Sequence, residues 1–135
     1  MELAHLWIKP GSCLIDVWGR ALWREEEPWC RAMAEVVARY QASPPRSTAK
    51  RRPHEEVLGE GAFEVSSHQF RQDHRFDFDA ILGWCRSTSV LADHALGSRA
   101  DQFGRDLRQA LLPHEVAGRY DASLTTGCTV GRRPA

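Results

Sequence analysis

The stretch Tyr120-Asp121-Ala122-Ser123-Leu124-Thr125-Thr126-Gly127-Cys128-Thr129-Val130 decides the fold class of this chain. Tyr120, Ala122, Leu124, Thr126, Cys128 and Val130 alternate with Asp121, Ser123, Thr125, Gly127 and Thr129. A period of two places one set on each face of a β-strand. Working back from it, Pro113 ends a helix whose apolar stripe is Phe103, Leu107, Ala110 and Leu111, and Ser98 with Asp101 resembles a capping box at its start. Before that, Asp77 or Asp79 can cap a helix carrying Phe78, Ile81, Leu82, Cys85 and Val90. A second alternating stretch runs from Phe63-Glu64-Val65 through Phe70 toward Phe76, with its weak point, and an admitted break, near Gln72-Asp73. A short helical piece precedes it, around His54 to Gly59.

Further upstream, Gln41 to Pro53 has a different texture. Ser43-Pro44-Pro45 is followed by Arg46, Lys50, Arg51 and Arg52 with no apolar anchor, so residues 42–53 are expected to form a flexible basic loop. Aromatics are absent from it and Glu55-Glu56 follows at once, which favours a solvated loop over a nucleic-acid patch. Glu25-Glu26-Glu27-Pro28 opens a helix, since acidic residues suit the positive end of its dipole and proline suits its first turn. Its stripe of Trp29, Met33, Val36, Val37 and Tyr40 is core rather than a ligand box. Cys13-Leu14-Ile15-Asp16-Val17-Trp18 is apolar at five of six positions between Gly11 and Gly19, which predicts a strand covered on both faces, as in parallel sheets. Asp16 shares a face with Leu14 and Trp18, where a carboxylate needs a partner or a raised pKa; a tolerated or damaging replacement is preferred to a functional acid. Glu2 to Ile8 is expected to be a helix ended by Lys9-Pro10-Gly11. The order helix–strand–helix–loop–strand–helix–helix–strand is an α/β pattern without internal repeats.

Composition narrows the functional classes. The 135 residues carry 18 basic and 18 acidic side chains, so no global field attracts a polyanion or a membrane surface. The expectation is therefore no nucleic acid, no membrane, and a soluble cytoplasmic protein: no run approaches the ~20 apolar residues of a membrane span, and Met1-Glu2-Leu3-Ala4-His5 lacks the form of a secretory signal. Cys13, Cys30, Cys85 and Cys128 are far apart with no Cys-x-x-Cys pair, which predicts buried free thiols. The histidines are equally scattered, and no metal site is expected.

Several passages together resemble one family. Glu2-Leu3-x-x-Leu6-x-Ile8-Lys9-Pro10-Gly11-Ser12, running into Leu14-Ile15-x-Val17-Trp18, is similar to the passage of class I S-adenosylmethionine-dependent methyltransferases in which a helix ends in Lys-Pro-Gly-Gly and hands over to the fifth strand. Glu26-Glu27-Pro28-Trp29 resembles the start of the following helix in a bacterial methyltransferase-domain subgroup. Phe76-Asp77-Phe78-Asp79-x-Ile81-Leu82-Gly83 with Ser87-Thr88-Ser89 looks like a later helix of that subgroup, and Arg119-Tyr120 with Thr129-Val130-Gly131-Arg132 looks like its last strand. The departures are Asp16 at an apolar strand position, Gly19 where the subgroup places Asn, and Ser12 for the second Gly. A larger one is the Gly-rich cofactor loop. The only Gly-x-Gly, Gly59-Glu60-Gly61, follows no apolar strand and is expected to be a turn.

The resemblance implies that residues 1–135 are a single partial domain, the C-terminal portion of a Rossmann-like methyltransferase domain. It implies a three-stranded mixed sheet of strands five, seven and six with flanking helices, the final strand lying between 14–18 and 63–70. The family's cofactor is S-adenosylmethionine, and none is expected to bind this chain alone. The implied function is that of a truncated relative of enzymes that methylate small molecules, inactive by itself. Its acceptor pocket would be walled by Trp18, Arg20 and Trp23, with Trp84 and Arg86 on the later helix. The alternative is a non-enzymatic interaction module that docks through the exposed sheet edge at 14–18, by self-association or on a complementing chain.

Overall fold

A computed structural model describes residues 8–41, 52–61 and 63–135. The expected helix at Glu2–Ile8 and most of the 42–53 loop fall outside those residues. The described elements are β1 (Cys13–Gly19), α1 (Pro28–Tyr40), α2 (His54–Gly59), β2 (Glu64–Phe76), α3 (Phe78–Arg86), the single turn α4 (Asp93–Leu96), α5 (Ala100–Leu111) and β3 (Tyr120–Arg132). Short 3₁₀ turns fall at Leu22–Arg24, Gly97–Arg99 and Leu112–His114. The fold is mixed α/β with one three-stranded sheet in the order β1-β3-β2, so the last strand is central. The sheet is antiparallel, not mixed. β1 runs against β3 from Cys13 opposite Arg132 to Gly19 opposite Thr126.

By contacts the chain divides into two compact units, one holding Met1–Gly19, Ser47–Gln72 and Thr125–Ala135, the other Arg20–Arg46 and Asp73–Leu124. In the second unit, Pro28 occupies the first turn of α1, and Trp29, Met33, Val36, Val37 and Tyr40 are all buried, as their spacing predicts. Phe103, Leu107 and Leu111, four residues apart on α5, are each fully buried against them. Asp77 caps α3 by accepting from the Ala80 N–H at 2.8 Å, and Phe78, Ile81 and Cys85 face inward. Tyr120 and Ala122 close this core from β3.

In the first unit the chain enters β1 through a turn at Lys9-Pro10-Gly11-Ser12. The Ser12 N–H donates to the Lys9 carbonyl at 3.0 Å, and Gly11 takes φ +79°, a value open to glycine at the third position of a proline-led turn. The Gly11 N–H donates to the Arg133 carbonyl and the Arg133 N–H to the Ser12 carbonyl, both at 2.9 Å, which is the pattern of a glycine-first bulge. One sheet face is packed: Leu58 of α2, Phe63 and Thr129 are buried there. Register puts Trp18 opposite Gly127 and Leu14 opposite Gly131. A Cβ at Gly127 would collide with the Trp18 indole, and one at Gly131 would sit 3.3 Å from Phe63. Both glycines are the hollows into which larger side chains fit.

Several expectations are corrected. β1 is not covered on both faces: Ile15 is 62% and Val17 66% exposed, because an antiparallel edge strand packs one face only. β2 is unbroken across Gln72-Asp73, although the boundary between the units falls there. Val90 lies beyond the end of α3 and is exposed. Ser98 makes no cap, since the Gly97–Arg99 turn runs straight into α5. In β3 the even residues are buried only at Tyr120 and Ala122; from Gly127 on, the buried residues are the odd ones, Gly127, Thr129 and Gly131.

These contacts set two opposite glycine outcomes. Gly127→Ala is expected to cost about 1–3 kcal/mol by displacing the Trp18 ring. Gly83→Ala, in the exposed middle of α3 with nothing within 4 Å of the added methyl, is expected to gain about 0.5–1 kcal/mol. Urea unfolding of both variants against the parent checks the pair.

Candidate functional site

In the first unit, the fourth residue of β1 provides a carboxylate and the first residue of α2 an imidazole. The Asp16 side chain pairs with Nδ1 of His54, which answers the demand for a partner on the packed side of β1. His54 lies 38 residues from Asp16, so only the packing of α2 on β1 joins them. Trp18 lies two residues along on the same face, with Thr129 across from Asp16. The Ser67 hydroxyl donates to the Thr129 hydroxyl at 3.4 Å. Trp18, Arg52, Pro53, His54, Glu55 and Thr129 line an open depression of about 270 Å³. The Arg52 guanidinium is held by Glu56 and Glu60, and these hydrogen bonds keep the Glu60 carboxyl below its ordinary range. A carboxylate on Nδ1 fixes the imidazole tautomer and leaves Nε2 as the ring's remaining polar atom.

The other pocket residues expected from sequence belong to the second unit. Trp23, in the 3₁₀ turn after β1, meets Trp84 of α3 edge to face, with ring centroids 5.3 Å apart and planes at 75°. Both are half-buried against the core, and their contact is of the kind worth ~0.5–1.5 kcal/mol beyond burial. Arg86, two residues beyond Trp84, places Nε 3.3 Å from the Asp93 carboxylate, an ion pair without hydrogen-bond geometry. Arg20 is exposed. The structure thus brings together Trp23 and Trp84, while Trp18 belongs to the first unit's depression.

A second hollow, about 710 Å³, was not anticipated. Glu27, Asp73, His74, Arg75, Asp121, Ala122 and Ser123 line it. Several of its polar groups are hydrogen-bonded. Arg75 donates to Asp121 at 2.7 Å, Glu27 accepts the Ser123 N–H at 2.9 Å, and the Trp29 indole N–H donates to the Asp121 carbonyl at 2.8 Å. The acidic run before Pro28 was read only as a helix start, so the reach of Glu27 to a strand 96 residues away had no local signal.

Cys30 and Cys85 are buried, and burial pushes both thiols up to about 12, so they stay protonated and inert. Cys13 is exposed and Cys128 half-buried, which corrects the expectation of four buried thiols. Among the described residues no group of three or more His, Cys, Asp or Glu could hold a metal ion. Gly59 ends α2, and Glu60 and Gly61 form the turn after it, as expected. No described segment follows a strand with a glycine loop and a helix. No described helix is long and apolar enough to cross a membrane. No protein-family profile matches the chain, and no curated protein is detectably similar to it.

Two carboxyls give the fold an acid limb. The Ala80 N–H, then the Arg119 guanidinium at 2.9 Å, hold Asp77 below its ordinary value. Hydrogen bonds from Tyr40 at 2.8 Å and Gln102 at 2.6 Å do the same for Asp106. Because both are lowered on folding, their stabilisation is complete above the unfolded carboxyl pKa of about 3.9 and is lost as pH falls through the folded values. Asp77→Asn and Asp106→Asn are each expected to flatten the fall in urea midpoint between about pH 5 and pH 2. An unchanged slope in both would remove these carboxyls as its cause.

Proposed function

We propose that this chain supplies the sheet-completing half of a class I methyl-transfer domain, with cofactor binding contributed by residues outside these 135. The observation that carries this reading is the sheet order. The resemblance implies a final strand lying between the first and second, for strands five, seven and six, and β3 lies between β1 and β2. In that role β1 presents its outer edge to the rest of the sheet, and the Trp23–Trp84 pair serves as an apolar wall for a small acceptor. No step of methyl transfer is assigned to these residues.

A second reading, a non-enzymatic module that docks through the same edge, is favoured by a separate observation: the exposure of Ile15 and Val17. Titration calorimetry separates cofactor binding from docking. Adding S-adenosylmethionine or its demethylated product to the 135-residue chain is expected to give no saturable heat. Saturable micromolar binding would overturn the assignment of cofactor binding to residues outside these 135.

A further inference from the structure

We infer that the outer edge of β1 is self-complementary, and that two copies of this chain join antiparallel through residues 13–17 with Ile15 opposite Ile15 of the second copy. The inference rests on the reading of β1 as a docking edge and names the occupant.

Backbone alternation sets which groups are available. The Arg133 N–H donates to the Ser12 carbonyl, so Ser12 and, two residues apart along the ladder, Leu14, Asp16 and Trp18 direct their backbone groups at β3. Cys13, Ile15 and Val17 therefore turn their N–H and C=O groups outward. Among the described residues no strand pairs with that edge. The same three residues form the exposed row of β1, which alternates exposed and half-buried along its length. Val130 lies across from Ile15 and Cys128 across from Val17, so the apolar row continues onto β3. Ser67 reaches Thr129 on the packed face, which puts the even residues of β2, including Phe70 at 55% exposure, on the same open face as Ile15.

Charge and register then select the partner. β1 carries no Lys, Arg or Pro, the residues that protect natural edges. Its one charged side chain, Asp16, is on the other face and is tied to His54. The chain's net charge is zero, so no long-range repulsion opposes a second copy. A twofold centred on Asp16 would set two carboxylates directly opposite. One centred on Val17 would set Ile15 against Gly19, which has no side chain to pack. The twofold centred on Ile15 pairs Ile15 with Ile15 and Val17 with Cys13, apolar against apolar, and pairs Asp16 only with Leu14. It also uses the outward backbone groups of Cys13, Ile15 and Val17 in matched hydrogen-bonded pairs, giving a continuous six-stranded sheet with an apolar row at its centre.

Sedimentation velocity on the full chain between about 1 µM and about 1 mM is expected to show a reversible dimer. Val17→Lys places an ammonium in the paired edge, and its dimer dissociation constant is expected to rise at least about tenfold. Val17 is exposed in the single chain, so far-UV circular dichroism of this variant should match the parent. Ile15→Cys in a Cys13→Ser background gives a second measurement. Directly opposed Cα atoms ~5.5 Å apart allow one intermolecular disulfide on mild oxidation, which Asp16→Cys in that background is not expected to form. A chain that stays monomeric throughout the range overturns the inference, as does a dimer that is indifferent to Val17→Lys and forms no Ile15→Cys crosslink. Neither result bears on the methyl-transfer reading, which the calorimetric titration tests separately.

Discussion

Strand β3 is hydrogen-bonded to a neighbour on either edge, and the constraint this imposes runs through the whole chain. A central strand has no free edge, so what varies along it is which face is covered and by what. Over Tyr120 and Ala122 the cover comes from the aromatic and aliphatic core of the second unit. Over Gly127, Thr129 and Gly131 it comes from Trp18, Phe63 and Leu58, and the small residues of β3 are what let those larger ones approach. Packing density in protein interiors leaves little slack for an extra methyl there.

β1 is the converse case. As an end strand it packs Leu14, Asp16 and Trp18 and leaves Cys13, Ile15 and Val17 on the open side. Its continuous apolar run suggested two covered faces, as in a parallel sheet, yet the sheet is antiparallel and the run is half exposed. Two residues of a run that looked buried, Ile15 and Val17, are therefore exposed. The same geometry supports both readings of function, a sheet awaiting its remaining strands and a module that pairs through its edge.

Polar placement follows the register as closely as apolar placement does. Asp16 was conspicuous as a charge among apolar neighbours, and the fold supplies His54 as its partner. Asp77 was legible as a cap because the interaction is three residues long. Glu27 with Ser123, Tyr40 with Asp106 and Trp29 with Asp121 span 66 to 96 residues and left no local trace. Of the five pocket residues drawn from sequence, Trp23 and Trp84 meet, Trp18 lines a different hollow, Arg86 is near Asp93, and Arg20 is exposed.

What the sequence by itself determined is everything that depends on short repeats. The stripe of α1, the rows of α5, the cap of α3, the helix at His54–Gly59 and the strand from Tyr120 are set by periods of 3.6 and 2 and by single capping or turn residues. The order β1-β3-β2 was legible too, though through resemblance rather than periodicity. Tertiary structure alone decided which face each strand buries, because period two gives two faces and not their environments. Hence the change from even to odd burial along β3, the exposure of Ile15 and Val17, and the meeting of Asp16 with His54 came only from the packed chain.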